Sequence, residues 1–299
     1  MSHIYSTKNP GSQCTEKPVF IQTRNYDIFG ILHIPDTSSS RDKVVVILLT
    51  GASIPRTHRN RMWVILARQL AESGFFSFRF DYRGLGESTG LFEDVSIDKV
   101  LSQDLLHIIN FLTNLINPGK IILVGECFGA RTALSMVNLI KFHGLVFLAA
   151  PTINNAERVT HQAGRKDITH YINKLKWQRW GTFLNTERIK RNFIFFIKRI
   201  HNKWAGINTN LLISESFSNQ LSTLVKKGIP SLMIYGTRDE FYENMKLFLQ
   251  KIDPEKRKNV EFYEIQGEKA HGLVVDVLVQ ETVIAKILKW IVSRYLIMN

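Results

Sequence analysis

Apolar residues in this chain gather in short, unbroken runs that are separated by longer stretches of mixed polarity. Strands that are covered on both faces of a sheet have this pattern, because neither row of their side chains meets water. Glycine, proline, asparagine or aspartate residues bound most of the runs, as expected where strands end. Eight strands are predicted, at residues 20–23, 28–34, 44–50, 75–80, 121–124, 144–149, 230–236 and 260–265.

Between these runs, apolar residues recur with the 3.6-residue period of amphipathic helices. The pattern predicts helices near residues 60–73, 97–116, 242–252 and 275–296, and a further helix after residue 127. The first two strands are joined by the polar turn 24–27, which predicts an antiparallel hairpin. From the third strand onward strands and helices alternate, which predicts an α/β fold with a mostly parallel, doubly wound sheet of eight strands.

Residues 152–229 interrupt this alternation with a long segment that is rich in basic and aromatic residues. We interpret them as a helical cap inserted over the carboxyl ends of the strands, where such folds bind ligands. The predicted organisation is an N-terminal tail (1–17), a core (18–151 and 230–297) and this cap.

The chain has 299 residues, 44% of them hydrophobic and 22% charged, the ordinary balance of a soluble globular protein. Its first twenty residues contain no apolar block like that of a signal peptide, and no segment reaches the ~18 uninterrupted apolar residues of a membrane span. We therefore expect a cytoplasmic protein without a transmembrane segment. Two cysteines do not make a disulfide scaffold, and Cys14 is predicted to be incidental in a polar tail.

The net charge of +13 is concentrated in one part of the chain. Residues 157–203 contain twelve Lys or Arg and three acidic residues, an excess of nine positive charges. A basic balance can indicate nucleic acid, an anionic membrane surface or an acidic partner.

The segment KIILVGECFGAR, residues 120–131, combines a buried strand, a turn with glycine on both sides and a helix rich in small residues. This context is typical of a nucleophile elbow, usually written G-x-S-x-G, although the central residue here is Cys127. Only glycine at the flanking positions avoids a clash with the neighbouring strand and helix. The pentapeptide alone is a weak signal, since a buried cysteine is usually a small apolar side chain.

The rest of the chain supplies an acid and a histidine in the order that an elbow requires. Asp239 lies three residues after the strand that ends at residue 236, and His271 lies six residues after the strand that ends at residue 265. Each residue alone has an ordinary structural interpretation, as a turn residue or as one of nine histidines. Their occurrence together, in order and at strand ends, favours catalysis.

These features resemble those of the α/β-hydrolases, over about residues 18–297. The turn at residues 81–88, DYRGLGES, resembles that of the serine-aminopeptidase-like and acyl-hydrolase branch. Two departures are visible. Cys127 stands where serine is usual, as in dienelactone hydrolases and a few biosynthetic thioesterases, and Thr50-Gly51 stands where His-Gly is usual.

The resemblance implies that Cys127 is the nucleophile, His271 the general base and then acid, and Asp239 the carboxylate that orients the histidine. It also implies an oxyanion hole formed by the backbone N–H groups of Phe128 and Ala52. No cofactor and no metal ion are predicted.

A thiol nucleophile changes the expected chemistry. A thiolate is strongly nucleophilic at neutral pH when a histidine or a helix N-terminus lowers its pKa. Because a thiol also leaves more easily than an alkoxide, attack on an amide tends to reverse, which disfavours peptidase activity. We therefore predict acyl hydrolysis or transfer from a thioester, with ester or lactone hydrolysis as the alternative, and a non-catalytic binding protein as the alternative of another class.

The basic cap leaves several interpretations open. Residues 186–204 form an amphipathic helix pattern, whose basic side is either a solvated surface or a docking site for an anionic acyl donor, coenzyme A or an acyl carrier protein. Association with a membrane surface is a third interpretation. Nucleic-acid binding is not expected, because no recognition motif accompanies the charge.

Overall fold

The structure is a computed structural model that describes residues 14–36, 43–92, 100–153, 213–270 and 272–296. Within these ranges, eight strands form one sheet in the order β1-β2-β4-β3-β5-β6-β7-β8. The strands are β1 (Cys14–Gln22), β2 (Asp27–Pro35), β3 (Val44–Leu49), β4 (Phe76–Phe80), β5 (Lys120–Glu126), β6 (Gly144–Leu148), β7 (Ser231–Gly236) and β8 (Val260–Ile265). The α-helices are α1 (Met62–Glu72), α2 (Ser102–Ile116), α3 (Phe128–Ser135), α4 (Glu215–Lys226), α5 (Tyr242–Lys251), α6 (Gly272–Val275) and α7 (Val277–Tyr295).

Strands β3 to β8 pair in parallel, whereas β2 pairs antiparallel with both β1 and β4. The predicted hairpin and the predicted mostly parallel sheet of eight strands are therefore confirmed. Strand β1 begins at Cys14, well before the predicted start at residue 20, so that Cys14 is buried opposite Pro35. Its polar first residues concealed this strand, because pairing through the backbone needs no apolar pattern.

The described helices cover both faces of the sheet. One face packs against α2, α3, α4 and α5. The other face packs against α1, α6 and α7. Because all residues of β3, β6 and β7 are buried between these two layers, their sequences are unbroken apolar or small-residue runs.

Two helices differ from their predicted limits. The described part of the 97–116 prediction becomes helical only at Ser102, since Leu101 has the non-helical ψ of 54° and is buried in the core. The predicted helix 275–296 is divided at Asp276, whose carboxylate accepts hydrogen bonds from the backbone N–H of Leu278 and Val279. Apolar periodicity continues across both breaks, and for this reason the sequence concealed them.

Most of the predicted cap, residues 154–212, lies outside the described residues, so the cap stays a prediction. Its last part contains α4, which follows the capping residue Ser214 and buries Phe217, Leu221 and Leu224 in the core. Among the helices that the structure describes, none has the length and apolar character needed to cross a membrane.

Candidate active site

Cys127 joins the end of β5 to the beginning of α3 with a backbone conformation that L-residues rarely adopt, φ 48° and ψ −110°. Main-chain bonds fix it there: its N–H donates to the carbonyl of Leu148 at 2.9 Å, and its carbonyl accepts from Arg131 at 3.2 Å. The side chain is half-buried at the carboxyl end of the sheet. Strain of this kind costs about 1–3 kcal/mol, and it holds the thiol at the tip of the turn.

The two flanking glycines make this turn possible. A Cβ at Gly125 would lie 2.5 Å from the backbone nitrogen of Ala130, and a Cβ at Gly129 would lie 2.5 Å from the carbonyl oxygen of Leu49. Real side chains do not tolerate such distances to backbone atoms. The prediction that only glycine fits beside the elbow helix and the neighbouring strand is therefore confirmed.

Phe128, the first residue of α3, is one of the two predicted oxyanion-hole residues. Its ring is buried and lies edge-on to Tyr82, with the ring centroids 5.5 Å apart. The N-terminus of a helix concentrates backbone N–H groups and a partial positive charge. The predicted donor is thus on the helix that Cys127 precedes, at the end where negative charge is stabilised.

Ala52, the other predicted oxyanion-hole residue, is exposed in the loop that follows β3. The neighbouring Gly51 lies against the carboxylate of Glu126, since a Cβ added there would be 2.3 Å from Glu126 Oε2. Residue 126 belongs to the elbow itself. The loop that carries Ala52 therefore begins in direct contact with the residue before Cys127.

A buried carboxylate holds the later part of the same loop. Asp81, directly after β4, accepts hydrogen bonds from the backbone N–H of Arg56 at 2.6 Å and from its Nη1 at 2.5 Å. Arg56 Nη1 also pairs with Glu87. Burial raises the pKa of Asp81, while hydrogen bonds from Arg56 oppose that rise. The DYRGLGES turn thus positions the loop after β3.

Backbone hydrogen bonds connect the loops at the carboxyl ends of neighbouring strands. They run from the residues that directly follow β5, β6 and β7 to the end of the next strand or to the segment after it. The bonds are Cys127 N to Leu148 O at 2.9 Å, Ala149 N to Ile234 O at 3.0 Å, Thr237 N to Ile265 O at 2.9 Å and Arg238 N to Glu268 O at 2.8 Å. A continuous main-chain frame therefore extends from Cys127 to the segment that precedes residue 271.

Asp239 is buried in the turn after β7, with 7% of its surface exposed. Its Oδ1 accepts from the backbone N–H of Phe241 at 2.8 Å. Burial raises the pKa of Tyr235 well above its usual range, and the nearby charges of Asp239 and Cys127 raise it further, against the effect of Arg131. Asp239 and Cys127 thus lie within electrostatic range of one buried phenol.

His271, the predicted general base, lies outside the described residues. The residues on either side are described: Ala270 ends the loop after β8, and Gly272 begins α6. The assignment of His271 accordingly stays a prediction.

Sequence reasoning missed two polar residues next to the predicted site. The hydroxyl of Tyr235 donates to the carbonyl of Ala150 at 2.7 Å. Arg131 is buried in α3, with its guanidinium over the ring of Phe217 at 4.8 Å and Nη1 3.4 Å from the carbonyl oxygen of Pro151. Both tie the loop after β6 in place. A charged residue within a helix of small buried residues was the one available signal for Arg131.

Comparison with known proteins agrees with this architecture. Residues 44–168 match the protein family described as alpha/beta hydrolase fold. No curated protein matches the chain at a significant level.

Solved structures resemble the chain over most of its length. An esterase of Pyrococcus furiosus, Pf2001, is 20% identical, with a TM-score of 0.58 over 92% of this chain and 89% of that one. Est1E of Butyrivibrio proteoclasticus, solved with ferulic acid bound, is 16% identical, with a TM-score of 0.59 over 92% and 98%. XC6422 of Xanthomonas campestris, described as a serine hydrolase without a lid, is 15% identical, with a TM-score of 0.57 over 97% and 98%. These likenesses establish the fold.

Proposed function

Starting from the α/β-hydrolase fold of this chain, we propose that it is an acyl hydrolase or acyltransferase with a cysteine nucleophile. In this proposal Cys127 attacks the acyl carbonyl, His271 takes the thiol proton and returns it to the leaving group, and Asp239 orients the imidazole. The backbone N–H groups of Phe128 and Ala52 stabilise the oxyanion. Acyl transfer to the sulfur forms a thioacyl-enzyme, which water or another acceptor then cleaves.

The observation that carries the proposal is the conformation of Cys127. A cysteine that served only as a core side chain would have no need of a φ of 48°, two glycines in contact with backbone atoms and a position directly before a helix. Strain of this kind clusters at functional sites. The burial of Asp239 at the same edge of the sheet supports a carboxylate held in one orientation.

Thioesters are the substrates that this nucleophile suits best. Attack by a thiolate on a thioester exchanges one thiol for another of similar basicity, so the tetrahedral intermediate partitions forward readily. Attack on an amide would expel the cysteine again. We propose that the acyl donor is an acyl carrier protein or coenzyme A thioester, as in a biosynthetic pathway, with the basic segment within residues 152–229 as its docking surface.

A second candidate function is hydrolysis of carboxylic esters or lactones, as in dienelactone hydrolases. The observation in its favour is that one of the similar solved structures, Pf2001, is described as an esterase, while Est1E is described with ferulic acid bound. Small esters that were cleaved faster than acyl-pantetheine or acyl-carrier substrates would favour this function.

Intact-protein mass spectrometry tests the proposal. The full chain is incubated with a panel of acyl thioesters and esters, and the mass gain identifies the acyl group that the protein retains. We expect a gain on the native chain and none on Cys127→Ala. A matched control, Cys14→Ala, removes the other cysteine and should be acylated like the native chain.

Iodoacetamide labelling near neutral pH distinguishes the proposal from a non-catalytic binding protein of the same fold. A nucleophilic Cys127 should be alkylated selectively and faster than Cys14, which is buried in β1. Equal, slow labelling of both thiols, with no acylation by any substrate, would favour the binding protein.

A further inference from the structure

The edge of the sheet where the parallel strands begin, opposite Cys127, has a row of cationic residues. We call it the amino edge and define it as the residues that directly precede or open β3, β5, β6, β7 and β8. These five strands are neighbours in that order. The cations of the amino edge are Lys43, Lys120, Lys141, Lys226, Lys227, Lys256, Arg257 and Lys258.

Backbone hydrogen bonds join the segments that carry these cations, so they form one continuous surface. At the usual spacing of ~4.8 Å between strands, five strands extend over about 20 Å. The connecting bonds are Lys120 N to Lys43 O at 3.4 Å, His143 N to Ile121 O at 2.7 Å, Leu145 N to Pro230 O at 3.0 Å and Ser231 N to Asn259 O at 2.9 Å.

Few acids neutralise this surface. Among the described residues of the amino edge, the exposed acids are Asp253 and Glu255, and Glu261 just inside β8 is paired with Lys286 and Arg294. Glu72, before the adjoining parallel strand β4, is a third exposed acid at this end of the sheet. Three of the cations have a structural role, because they donate to carbonyls at or near helix ends: Lys43 to Ile116, Lys227 to Val137 and Arg257 to Leu249. Lys141, Lys226 and Lys258 are exposed and form no ion pair with any acid that the structure describes.

Apolar side chains project from the same edge. Leu115, which is 48% exposed, lies directly before the carbonyl that Lys43 contacts, and Leu139 is 55% exposed. Leu139 lines a cavity of about 570 Å³ together with Ile140, Lys141, His143, Lys227 and Ile229. The edge therefore presents cations and exposed leucines side by side, and this cavity combines both.

From these observations we infer that the amino edge docks onto the surface of an anionic phospholipid bilayer. Seven of the eight cations are lysines, whose mobile point charges suit a diffuse layer of phosphate and carboxylate groups. Sites for single-stranded nucleic acid instead combine a basic groove with exposed aromatic rings on which bases stack. The two exposed leucines provide the apolar contact that peripheral membrane proteins insert between headgroups.

Docking in this orientation places the candidate active site on the side away from the lipid. Cys127 lies at the carboxyl ends of the strands, across the full length of the sheet from Lys141 and Lys226. The candidate site then faces away from the bilayer, toward the aqueous phase. This inference does not depend on the proposed function, because it concerns a different face of the molecule.

Co-sedimentation of the full chain with lipid vesicles tests the inference. Vesicles of phosphatidylcholine alone are compared with vesicles that contain about 30% phosphatidylserine, at about 0.1 M salt. We expect binding to the second kind only. Each lysine near an anionic surface contributes about fivefold in affinity, so Lys141→Gln, Lys226→Gln and Lys258→Gln combined should weaken binding by about 100-fold.

A matched control removes three exposed cations from the opposite edge, as Arg24→Gln, Arg59→Gln and Arg61→Gln. This variant should bind the vesicles like the native chain, and the melting temperatures of both variants should stay near the native value. Equal loss of binding in both variants, or no preference for phosphatidylserine, would overturn the inference. Binding of poly-glutamate or duplex DNA as tightly as the vesicles, with the same dependence on the three lysines, would also overturn the inference. The amino edge would then bind polyanions in general rather than a bilayer.

Discussion

Nε2 of His58 lies 3.5 Å from Oε2 of Glu126, the residue directly before Cys127. Both side chains are buried, and His58 packs its ring against Trp63 with the centroids 4.8 Å apart. The same carboxylate oxygen rests against Gly51. The elbow and the loop that carries Ala52 are thus joined through one carboxylate and one imidazole, in addition to their backbones.

We expect Glu126→Gln and His58→Gln to be coupled in a double-mutant cycle. Each single change should destabilise the fold, because it leaves a buried polar partner behind, and the two effects should differ from additivity by about 1 kcal/mol or more. The free energy of unfolding from urea titrations measures this. If the loop positions the oxyanion donor, both variants should also slow acylation of Cys127 while the Michaelis constant changes little. Additive stabilities would contradict the coupling.

Replacement of the elbow glycine Gly129 by alanine should cost about 2–4 kcal/mol in the free energy of unfolding. The new Cβ would lie within 2.7 Å of Leu49 and Thr50 backbone atoms, so the end of β3 must shift. Gly267→Ala is the matched control, since nothing lies within 4 Å of its added Cβ and only its φ of 76° opposes the change. We expect about 1 kcal/mol there. Equal costs at both positions would show that crowding is not the cause.

Asp239→Asn tests the role of the carboxylate charge and preserves the hydrogen bond within the turn after β7. The amide oxygen can still accept the hydrogen bond that Phe241 N–H donates to Oδ1, so the melting temperature should be unchanged. Loss of the charge that orients His271 should slow acylation by about 10²–10⁴-fold, measured by quenched time courses in mass spectrometry. Asp239→Ala, which also removes the acceptor, should lower both the rate and the melting temperature. Native rates in Asp239→Asn would exclude this residue as the orienting acid.

A buried histidine far from the candidate site should make the fold sensitive to acid. Burial lowers the pKa of His33 from 6.5 to about 3, and Arg79 Nε donates to its Nε2 at 3.0 Å. Below pH 6.5 the unfolded chain therefore binds a proton at His33. In the folded chain this residue stays neutral down to about pH 3. The contribution of neutral His33 to the free energy of unfolding is complete above the unfolded-state pKa, and it is lost as the pH falls below that value.

His33→Gln, which keeps an acceptor for Arg79, should remove this dependence. Between neutral pH and a pH about two units below the unfolded-state pKa, the native chain should lose about 2–3 kcal/mol more than the variant. Urea unfolding at the two pH values measures the difference. An identical loss in both proteins would mean that His33 is protonated in the fold.

The sequence predicted the fold because its signals are local. Unbroken apolar runs such as residues 44–49 can be satisfied only between two helical layers, and Gly125 and Gly129 mark the elbow by their spacing. The start of α2 and the break at Asp276 were missed, since buried residues keep their periodicity through a change of backbone direction. Contacts between segments that are far apart in the sequence leave no local pattern of this kind.

The surroundings of the candidate site were less predictable for the same reason. Asp81 was recognised within its turn, but its partner Arg56 depends on the path of the loop after β3. Neither His58 nor Tyr235 belongs to a motif, and both reach the site through tertiary contacts. Each contact becomes visible only when distant segments are packed together.

The main-chain frame that links Cys127 to Leu148 and continues to Glu268 involves no reactive side chain. The backbone consequently fixes the position of residue 127, whether its side chain ends in sulfur or in oxygen. Sulfur and oxygen can therefore be interchanged there with the surroundings held constant. A Cys127→Ser protein would then isolate the intrinsic difference between the two elements as nucleophiles, a comparison that is seldom available without accompanying structural change.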